Sequence, residues 1–255
     1  MITVLCCRGI GEGRRENLLS DMTRRLDPWR FRAREVPWQA SYGPVPDPWG
    51  SAFDAALYDG RNLLLEMIRH DPYPVVLAGY SGGGALAGNV AAEIGRGEHP
   101  DLDVRGVGLV SDPLRSLSST VNPGAEGWGI AGRRYIPRQF PVWHLADPTD
   151  VITCCPPHSP LRTIADQSAA FSLADPAAWG GDLIDRLKTK RWQEVKVDWM
   201  KLFDTFAQYR QAQHDAEGYL FRGDHTSYAT RRVPGSTRTY TQWLADRINE
   251  IGSVQ

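Results

Sequence analysis

The chain has 255 residues, enough to bury a full hydrophobic core within one large α/β domain, alone or with an insertion. A hydrophobic fraction of 42%, a charged fraction of 23% and a formal net charge of -1 are ordinary for a soluble globular protein, and no basic excess favours nucleic-acid binding. No apolar stretch is long enough to span a membrane, and the cysteines form two adjacent pairs, Cys6-Cys7 and Cys154-Cys155, unlike a disulfide scaffold.

Short apolar runs alternate with helical patterns along most of the chain. Strands are predicted at residues 3–7, 31–36, 75–80, 104–110 and 142–146. Helices are predicted at about 51–70, directly after Ser81, and at about 239–251. In the first of these, the residues at helical spacing that we expect to face the sheet are Phe53, Leu57, Leu64, Met67 and Ile68. The alternation predicts a mostly parallel sheet covered by helices.

Residues 160–218 break this alternation, because they have helical periodicity and no convincing strand. A short helix is expected around residues 183–187, followed by a long amphipathic helix with the apolar positions Trp192, Val195, Trp199, Leu202, Phe203, Phe206 and Tyr209. We interpret 160–218 as a helical linker or cap inserted into a core formed by 1–159 and 219–255. Its aromatic stripe either packs on the main domain or lines a lipid groove.

The segment Gly79-Tyr80-Ser81-Gly82-Gly83 matches the G-x-S-x-G motif and lies between a predicted strand and a predicted helix. In such a turn the backbone is strained, and glycines two residues before and two after the serine prevent a collision. The pattern predicts Ser81 as an exposed nucleophile. A glycine-rich turn without chemistry is the alternative.

A serine nucleophile needs a histidine base. In proteins that carry this motif between a strand and a helix, the chain order is serine, acid, histidine. His225 lies on a polar, glycine-containing loop shortly before the final helix, which is where the catalytic loop belongs. His158 and His214 are weaker candidates. His225 is therefore the predicted base, the alternative being a surface histidine beside Asp224.

Two aspartates follow the last predicted strand, and both are candidates for the acid. Asp150 precedes Val151-Ile152. A turn of this sequence type often follows the acid-bearing strand of hydrolases that carry the G-x-S-x-G motif, so we favour Asp150 over Asp147. Asp112 also ends a strand, but we expect it to cap a turn beside the site. Cys154, Cys155 and His158 lack the usual spacing of metal ligands, so no metal or other cofactor is expected.

The loop after the first strand, residues 8–12, is glycine-rich enough for its backbone to approach a substrate. We expect the backbone N–H groups of Ile10 and Gly82 to form an oxyanion hole. A dinucleotide-binding fingerprint is the alternative for this loop, but its third glycine is missing.

Together, "CRGIGE", "GYSGG", "SDP" and "DPTDVITCCPPHSPLRTIAD" resemble the cutinase-like serine esterases, and more narrowly the Lysin B family of mycobacteriophages. The resemblance covers essentially the whole chain. It implies an α/β-hydrolase fold with a helical linker between acid and histidine, and a triad of Ser81, Asp150 and His225. Two features depart from the family: Gly82 stands where glutamine is usual, and there is no room for the peptidoglycan-binding module that some relatives carry.

The resemblance also implies a role, namely hydrolysis of the ester between mycolic acids and arabinogalactan during lysis of a phage-infected mycobacterium. The partner would be that lipid ester, and neither nucleic acid nor integral membrane insertion is expected. No signal peptide is visible, so the protein would be made in the host cytoplasm and would act at the cell envelope. The alternatives are a general lipase or cutinase-type esterase, and a non-catalytic module that binds lipid or glycan.

Overall fold

A computed structural model describes residues 1–41, 53–117, 119–162 and 202–251. Its centre is a five-stranded sheet whose strands are, in chain order, β1 (Ile2–Cys7), β2 (Phe31–Glu35), β3 (Val75–Tyr80), β4 (Val104–Val110) and β5 (Val142–Leu145). The strand order is β2-β1-β3-β4-β5, and every neighbouring pair is parallel. All strands therefore end at the same edge of the sheet. The five predicted strands are confirmed, with ends that differ by at most one residue.

Five α-helices have described bounds, and residues 160–162 are also helical. The five are α1 (Leu18–Thr23), α2 (Phe53–Arg69), α3 (Gly82–Gly95), α4 (Leu202–Phe221) and α5 (Tyr240–Glu250). The predictions for α2, α3 and α5 are confirmed. The short helix α1 was not predicted, because six residues give too little periodicity to recognise.

The side chains of the sheet alternate between two apolar layers. Leu5, Leu77 and Leu109 face the layer that contains α2 and α3. Val4, Val76 and Val110 face the opposite layer, which contains α1 and α5. Because neighbouring residues of a strand point to opposite faces, this alternation covers both sides of the sheet with helices.

Helix α2 contacts the core with the residues expected from its periodicity. Leu64 and Ile68 are buried, and the partly buried residues packed against them include Phe53, Leu57 and Met67. This stripe packs α2 against α3 and the apolar layer on that side of the sheet.

Part of the predicted insertion is outside the described residues. This applies to the expected helix at 183–187 and to Trp192, Val195 and Trp199 of the aromatic stripe. Helix α4 covers the later part of the predicted long helix and continues to Phe221. No strand is present among residues 160–162 and 202–218, the portion of the region that the structure describes.

Candidate active site

Ser81 occupies the turn between β3 and α3, at the centre of the sheet edge where the strands end. Its φ of 55° is unusual for a residue with a side chain. The turn closes tightly, since a Cβ on Gly79 would lie 2.3 Å from the carbonyl oxygen of Gly83. A Cβ on Gly83 would lie 2.0 Å from the carbonyl oxygen of Cys7. The glycines flanking Ser81 are therefore required by close backbone approach, as the motif predicts.

His225 and Asp150 form a hydrogen-bonded chain with Ser81. The Ser81 Oγ lies 3.0 Å from Nε2 of His225. On the other side of the imidazole, Nδ1 lies 3.1 Å from Oδ2 of Asp150. The three side chains come from the turn after β3, the loop after β5 and the loop before α5, which meet at one edge because the sheet is parallel. Their order in space is that of a nucleophile, a base and an acid that orients the base.

The carboxylate of Asp150 is buried and receives several hydrogen bonds. Tyr228 donates its hydroxyl to Oδ2 over 2.7 Å, and Ser111 donates its hydroxyl to the same oxygen. The backbone N–H of Ile152 donates to Oδ1 over 3.0 Å. Burial alone would raise the pKa of Asp150, but the charge on His225 and these hydroxyl donors outweigh burial and hold the pKa below its usual value. Asp150 is therefore ionised beside the imidazole.

The other two candidate aspartates are engaged elsewhere. Asp147 pairs with Arg231, with Nη1 and Oδ2 2.8 Å apart. Asp112 is fully buried and pairs with Arg134, so it does more than cap the turn in which its Oδ1 accepts the N–H of Leu114. Of the three, Asp150 is the one that contacts His225.

His144 lies inside β5, where it is buried next to Asp112. Burial, together with the positive charges of Arg134 and Arg115, lowers the pKa of His144 to about 3. This imidazole is therefore neutral at physiological pH. The described side chains of His158 and His214 are exposed and lie outside the group formed by Ser81, His225 and Asp150.

The loop after β1 brings Ile10 next to the turn that carries Ser81. The Ile10 side chain packs on the Cα of Gly82, because a Cβ on that glycine would meet it at 2.8 Å. Gly82 is the first residue of α3, and the first N–H groups of a helix have no acceptor within the helix. No hydrogen bond joins the Ile10 N–H to a described residue. The two N–H groups expected to form an oxyanion hole thus belong to adjacent segments.

Buried polar contacts hold this loop in place. Arg8 donates from Nη2 to the carbonyl oxygen of Trp38 and from Nε to that of Glu12, in both cases over 2.9 Å. The carboxylate of Glu12 accepts the backbone N–H of Gly9 over 2.7 Å and that of Leu18 over 2.8 Å. The loop is therefore fixed at its start, at Gly9, and through α1.

Two tyrosine rings contact the imidazole of His225. The ring of Tyr80 stacks on the imidazole with centroids 5.2 Å apart, and its hydroxyl donates to the His225 carbonyl oxygen over 2.9 Å. Tyr219, near the end of α4, places its ring centroid 5.2 Å from the imidazole on a tilted plane. The two rings restrict the orientation of the imidazole.

The expectation that Ser81 is exposed is wrong for this conformation, in which the residue is 2% exposed. The imidazole of His225 contacts the Ser81 hydroxyl, and Ile10 and Phe53 lie around the neighbouring Gly82. The sequence motif locates a strained turn but does not report what covers it.

Sequence reasoning missed Ser111 and Tyr228, which donate to Asp150, and Tyr219, which contacts His225. Ser111 stands in the "SDP" segment, where only the aspartate was considered. Tyr228 comes three residues after His225, on the loop already assigned to the base. No spacing rule marks either hydroxyl, because both contacts are made across the fold.

Three further properties bear on function. All four cysteines are unbonded and buried. Within the described ranges, the side chains that could together hold a metal are Glu93, Glu98 and His99, although Glu93 already pairs with Arg61. No described helix combines the length and the apolar character needed to cross a membrane.

Comparison with known proteins gives structural similarity alone, since no family model and no curated protein matches the chain. Lysin B from Mycobacteriophage D29 is similar over 97% of both chains, with 16% identity and a TM-score of 0.52. The catalytic core domain of acetyl xylan esterase from Trichoderma reesei aligns with 67% of this chain and 96% of its own, with 17% identity and a TM-score of 0.47. A cutinase-like protein from Cryptococcus sp. aligns with 60% of this chain and 78% of its own, with 18% identity and a TM-score of 0.44.

The similarity to Lysin B extends over nearly the whole of both chains. The chain therefore has the same α/β-hydrolase fold. This confirms the fold class predicted from the strand and helix pattern.

Proposed function

We propose that this protein is a serine esterase in which Ser81 is the nucleophile, His225 the general base and Asp150 the acid. One observation carries the proposal: the Ser81 hydroxyl, the His225 imidazole and the ionised Asp150 form a continuous hydrogen-bonded chain on a hydrolase fold. Nε2 of the imidazole faces the Ser81 hydroxyl while Nδ1 faces the carboxylate, the arrangement that this reaction requires of the base.

The reaction has two stages. His225 removes the proton from Ser81 as its Oγ attacks the ester carbonyl carbon, and the negative oxygen that forms is stabilised by the N–H groups of Ile10 and Gly82. His225 then protonates the alcohol that leaves, and an acyl-enzyme remains on Ser81. Water, deprotonated by the same imidazole, attacks the acyl group and releases the carboxylic acid.

We further propose that the physiological substrate is the ester between mycolic acids and arabinogalactan, cleaved at the envelope of a mycobacterial host during phage lysis. The full-length similarity to Lysin B of a mycobacteriophage supports this substrate, as do the sequence motifs shared with that family. A general lipase or cutinase-type esterase without a cell-wall role is the second candidate.

The catalytic assignment is tested with Ser81→Ala. We expect this variant to lose hydrolysis of a p-nitrophenyl ester by at least about 1,000-fold and to escape labelling by a fluorophosphonate, because the nucleophile is absent. Its circular dichroism spectrum and melting temperature should stay close to those of the wild type.

Ser116→Ala is the matched control for Ser81→Ala. Its hydroxyl lies on the loop after β4 and is hydrogen-bonded to that of Ser119 at 2.7 Å, away from His225. This control should be as active as the wild type. A Ser81→Ala protein that still turns over the ester would refute the assignment.

The substrate is tested by comparing hydrolysis of purified mycolyl-arabinogalactan, triglycerides and a polyester by the same preparation. We expect release of mycolic acid from the first substrate to dominate. Efficient turnover of triglyceride or polyester without release of mycolic acid would instead support the second candidate.

A further inference from the structure

We propose that Ser111 is a positioning residue of this site, whose hydroxyl fixes the Asp150 carboxylate and the His225 imidazole relative to each other. The inference rests on the proposed esterase function. It adds a fourth side chain to the expected nucleophile, base and acid.

The first observation is where Ser111 lies. It follows β4, the strand between β3, which ends at Ser81, and β5, which leads to Asp150. Its N–H donates to the Leu145 carbonyl oxygen over 3.0 Å, which ties the residue to β5. Ser111 is completely buried. Its side chain is thus held between the two segments that supply the nucleophile and the acid.

The second observation is what the hydroxyl contacts. Ser111 donates to Oδ2 of Asp150, and its Oγ lies 3.0 Å from Nδ1 of His225. The same Nδ1 lies 3.1 Å from Oδ2, so the three atoms form a closed triangle of polar contacts. Rotation of either the carboxylate or the imidazole would break one side of this triangle.

The third observation is the backbone of Ser111. Its φ is 51°, in the left-handed region that favours glycine. Among the described residues, the non-glycine residues with positive φ are Ala40, Ser81 and Ser111. Backbone strain of this kind persists where the surroundings enforce it, often at functional sites. A serine here carries a conformational cost that glycine would avoid, and what it gains is the hydroxyl.

Tyr228 shares this task without replacing Ser111. Both hydroxyls donate to Oδ2 of Asp150, while Ile152 N–H donates to Oδ1. Tyr228 does not contact the imidazole through its hydroxyl, whereas Ser111 bridges carboxylate and imidazole. Removing Ser111 therefore leaves the carboxylate held by Tyr228 and Ile152, but it leaves the imidazole with less restraint.

The Ser111 hydroxyl contacts both the carboxylate and the imidazole, so its removal changes the polar surroundings of both groups. The other titratable groups that face His225 or Asp150 from the elements around them are Glu12, Cys154, Tyr80, Tyr219, Tyr228 and Tyr240. A Ser111 variant leaves all of them in place.

Two variants separate the hydroxyl from the backbone strain. Ser111→Ala removes the hydroxyl and keeps the strained Cβ, whereas Ser111→Gly removes both. We expect kcat for a p-nitrophenyl ester to fall about 10- to 100-fold in each, the loss typical of a hydrogen bond to a charged group. KM should not change, because Ser111 is not proposed to contact the substrate.

Two readouts distinguish positioning from a general loss of stability. The acidic limb of the kcat/KM profile should shift in both variants, because Ser111 contacts both the carboxylate and the imidazole. Ser111→Gly should melt at a higher temperature than Ser111→Ala while being equally impaired. Ser116→Ala, from the same loop, should match the wild type in activity and pH profile.

The inference is overturned if both variants keep the wild-type kcat and pH profile, or if activity falls only in proportion to melting temperature. It is also overturned if neither variant folds, since Ser111 would then be structural. Failure of the esterase proposal is recognised separately, by wild-type protein that neither hydrolyses the ester nor reacts with a fluorophosphonate. In that case both proposals fall.

Discussion

Individual carboxyl groups in this protein differ in pKa because burial and charge partners are balanced differently around each. Asp150 is fully buried, yet its neighbours hold its pKa below the usual value. Glu35, at the end of β2, has a weaker set of partners, with Arg8 Nη1 and Asn17 Nδ2 each 3.4 Å away. Burial therefore dominates, and raises the pKa of Glu35 from 4.5 to about 7 despite the charge on Arg8.

The raised pKa of Glu35 predicts a pH dependence of stability. The folded protein binds the proton on the Glu35 carboxyl more tightly than the unfolded chain does. The contribution of Glu35 to stability is therefore fully present below pH 4.5 and is lost as pH rises to about 7. Glu35→Gln should remove this decline. The measurement is the melting temperature of wild type and variant across that pH range.

Glu93→Gln is the control, because the contribution of Glu93 to stability should change with pH in the opposite direction. Burial opposes ionisation of Glu93, but hydrogen bonds from Arg61 and His99 hold its pKa below the usual value. Its contribution is present above the unfolded pKa and is lost as pH falls. Superimposable curves for wild type and Glu35→Gln between pH 4.5 and 7 would contradict the assignment of the raised pKa to Glu35.

At the scale of elements, the turn between β3 and α3 depends on close contact between backbones. Helix α3 enters the core next to β1, whose last residue Cys7 lies against Gly83. Gly84, the next residue in the same helix, has room for a side chain. A Cβ there would lie 3.4 Å from the nearest atom, the Cα of Asp112, which is an ordinary van der Waals contact. Two adjacent glycines thus serve different purposes.

Alanine at these two positions should have opposite effects. Gly83→Ala places a Cβ 2.0 Å from the Cys7 carbonyl oxygen, and because the obstacle is backbone we expect a loss of about 3 kcal/mol or more in unfolding free energy. Gly84→Ala meets no such obstacle and should stabilise the helix by about 0.5–1 kcal/mol. Urea denaturation of both variants checks this pair, and equal effects would show that the close approach at Gly83 is not real.

At the scale of the whole molecule, helix α4 connects the predicted insertion with His225. Tyr219 lies near its end, is 5% exposed and contacts the imidazole of His225. Phe221, two residues later in the same helix, is 73% exposed. A helix that belongs to the predicted insertion therefore contributes to the orientation of the His225 imidazole.

Removal of the Tyr219 side chain should affect both stability and activity. Tyr219→Ala should lower the unfolding free energy by about 3 kcal/mol, as for other buried aromatic residues, and should reduce kcat because the imidazole loses one of its two flanking rings. Phe221→Ala should change stability by less than about 0.5 kcal/mol and leave kcat intact. Unfolding and turnover measured on the same samples test this, and a fully active Tyr219→Ala protein would show that α4 does not support the site.

The sequence was sufficient for the layout of the fold and for locating the strained turn. Strands such as β3 are continuous apolar runs, because a parallel sheet is buried on both faces. Gly79 and Gly83 mark the turn directly, since backbone approach excludes any other residue there. Both features depend on residues that are adjacent in the sequence, so they can be recognised without coordinates.

Only the tertiary structure decided which aspartate contacts His225 and which hydroxyls surround it. Asp147 and Asp150 lie on the same loop, and their different roles depend on where Arg231 and His225 lie after the chain has folded. Ser111 comes 39 residues before Asp150 and 114 before His225, and these groups meet because parallel strands end at one edge of the sheet. Contacts between distant segments follow from strand order and register, which single-sequence periodicity does not contain.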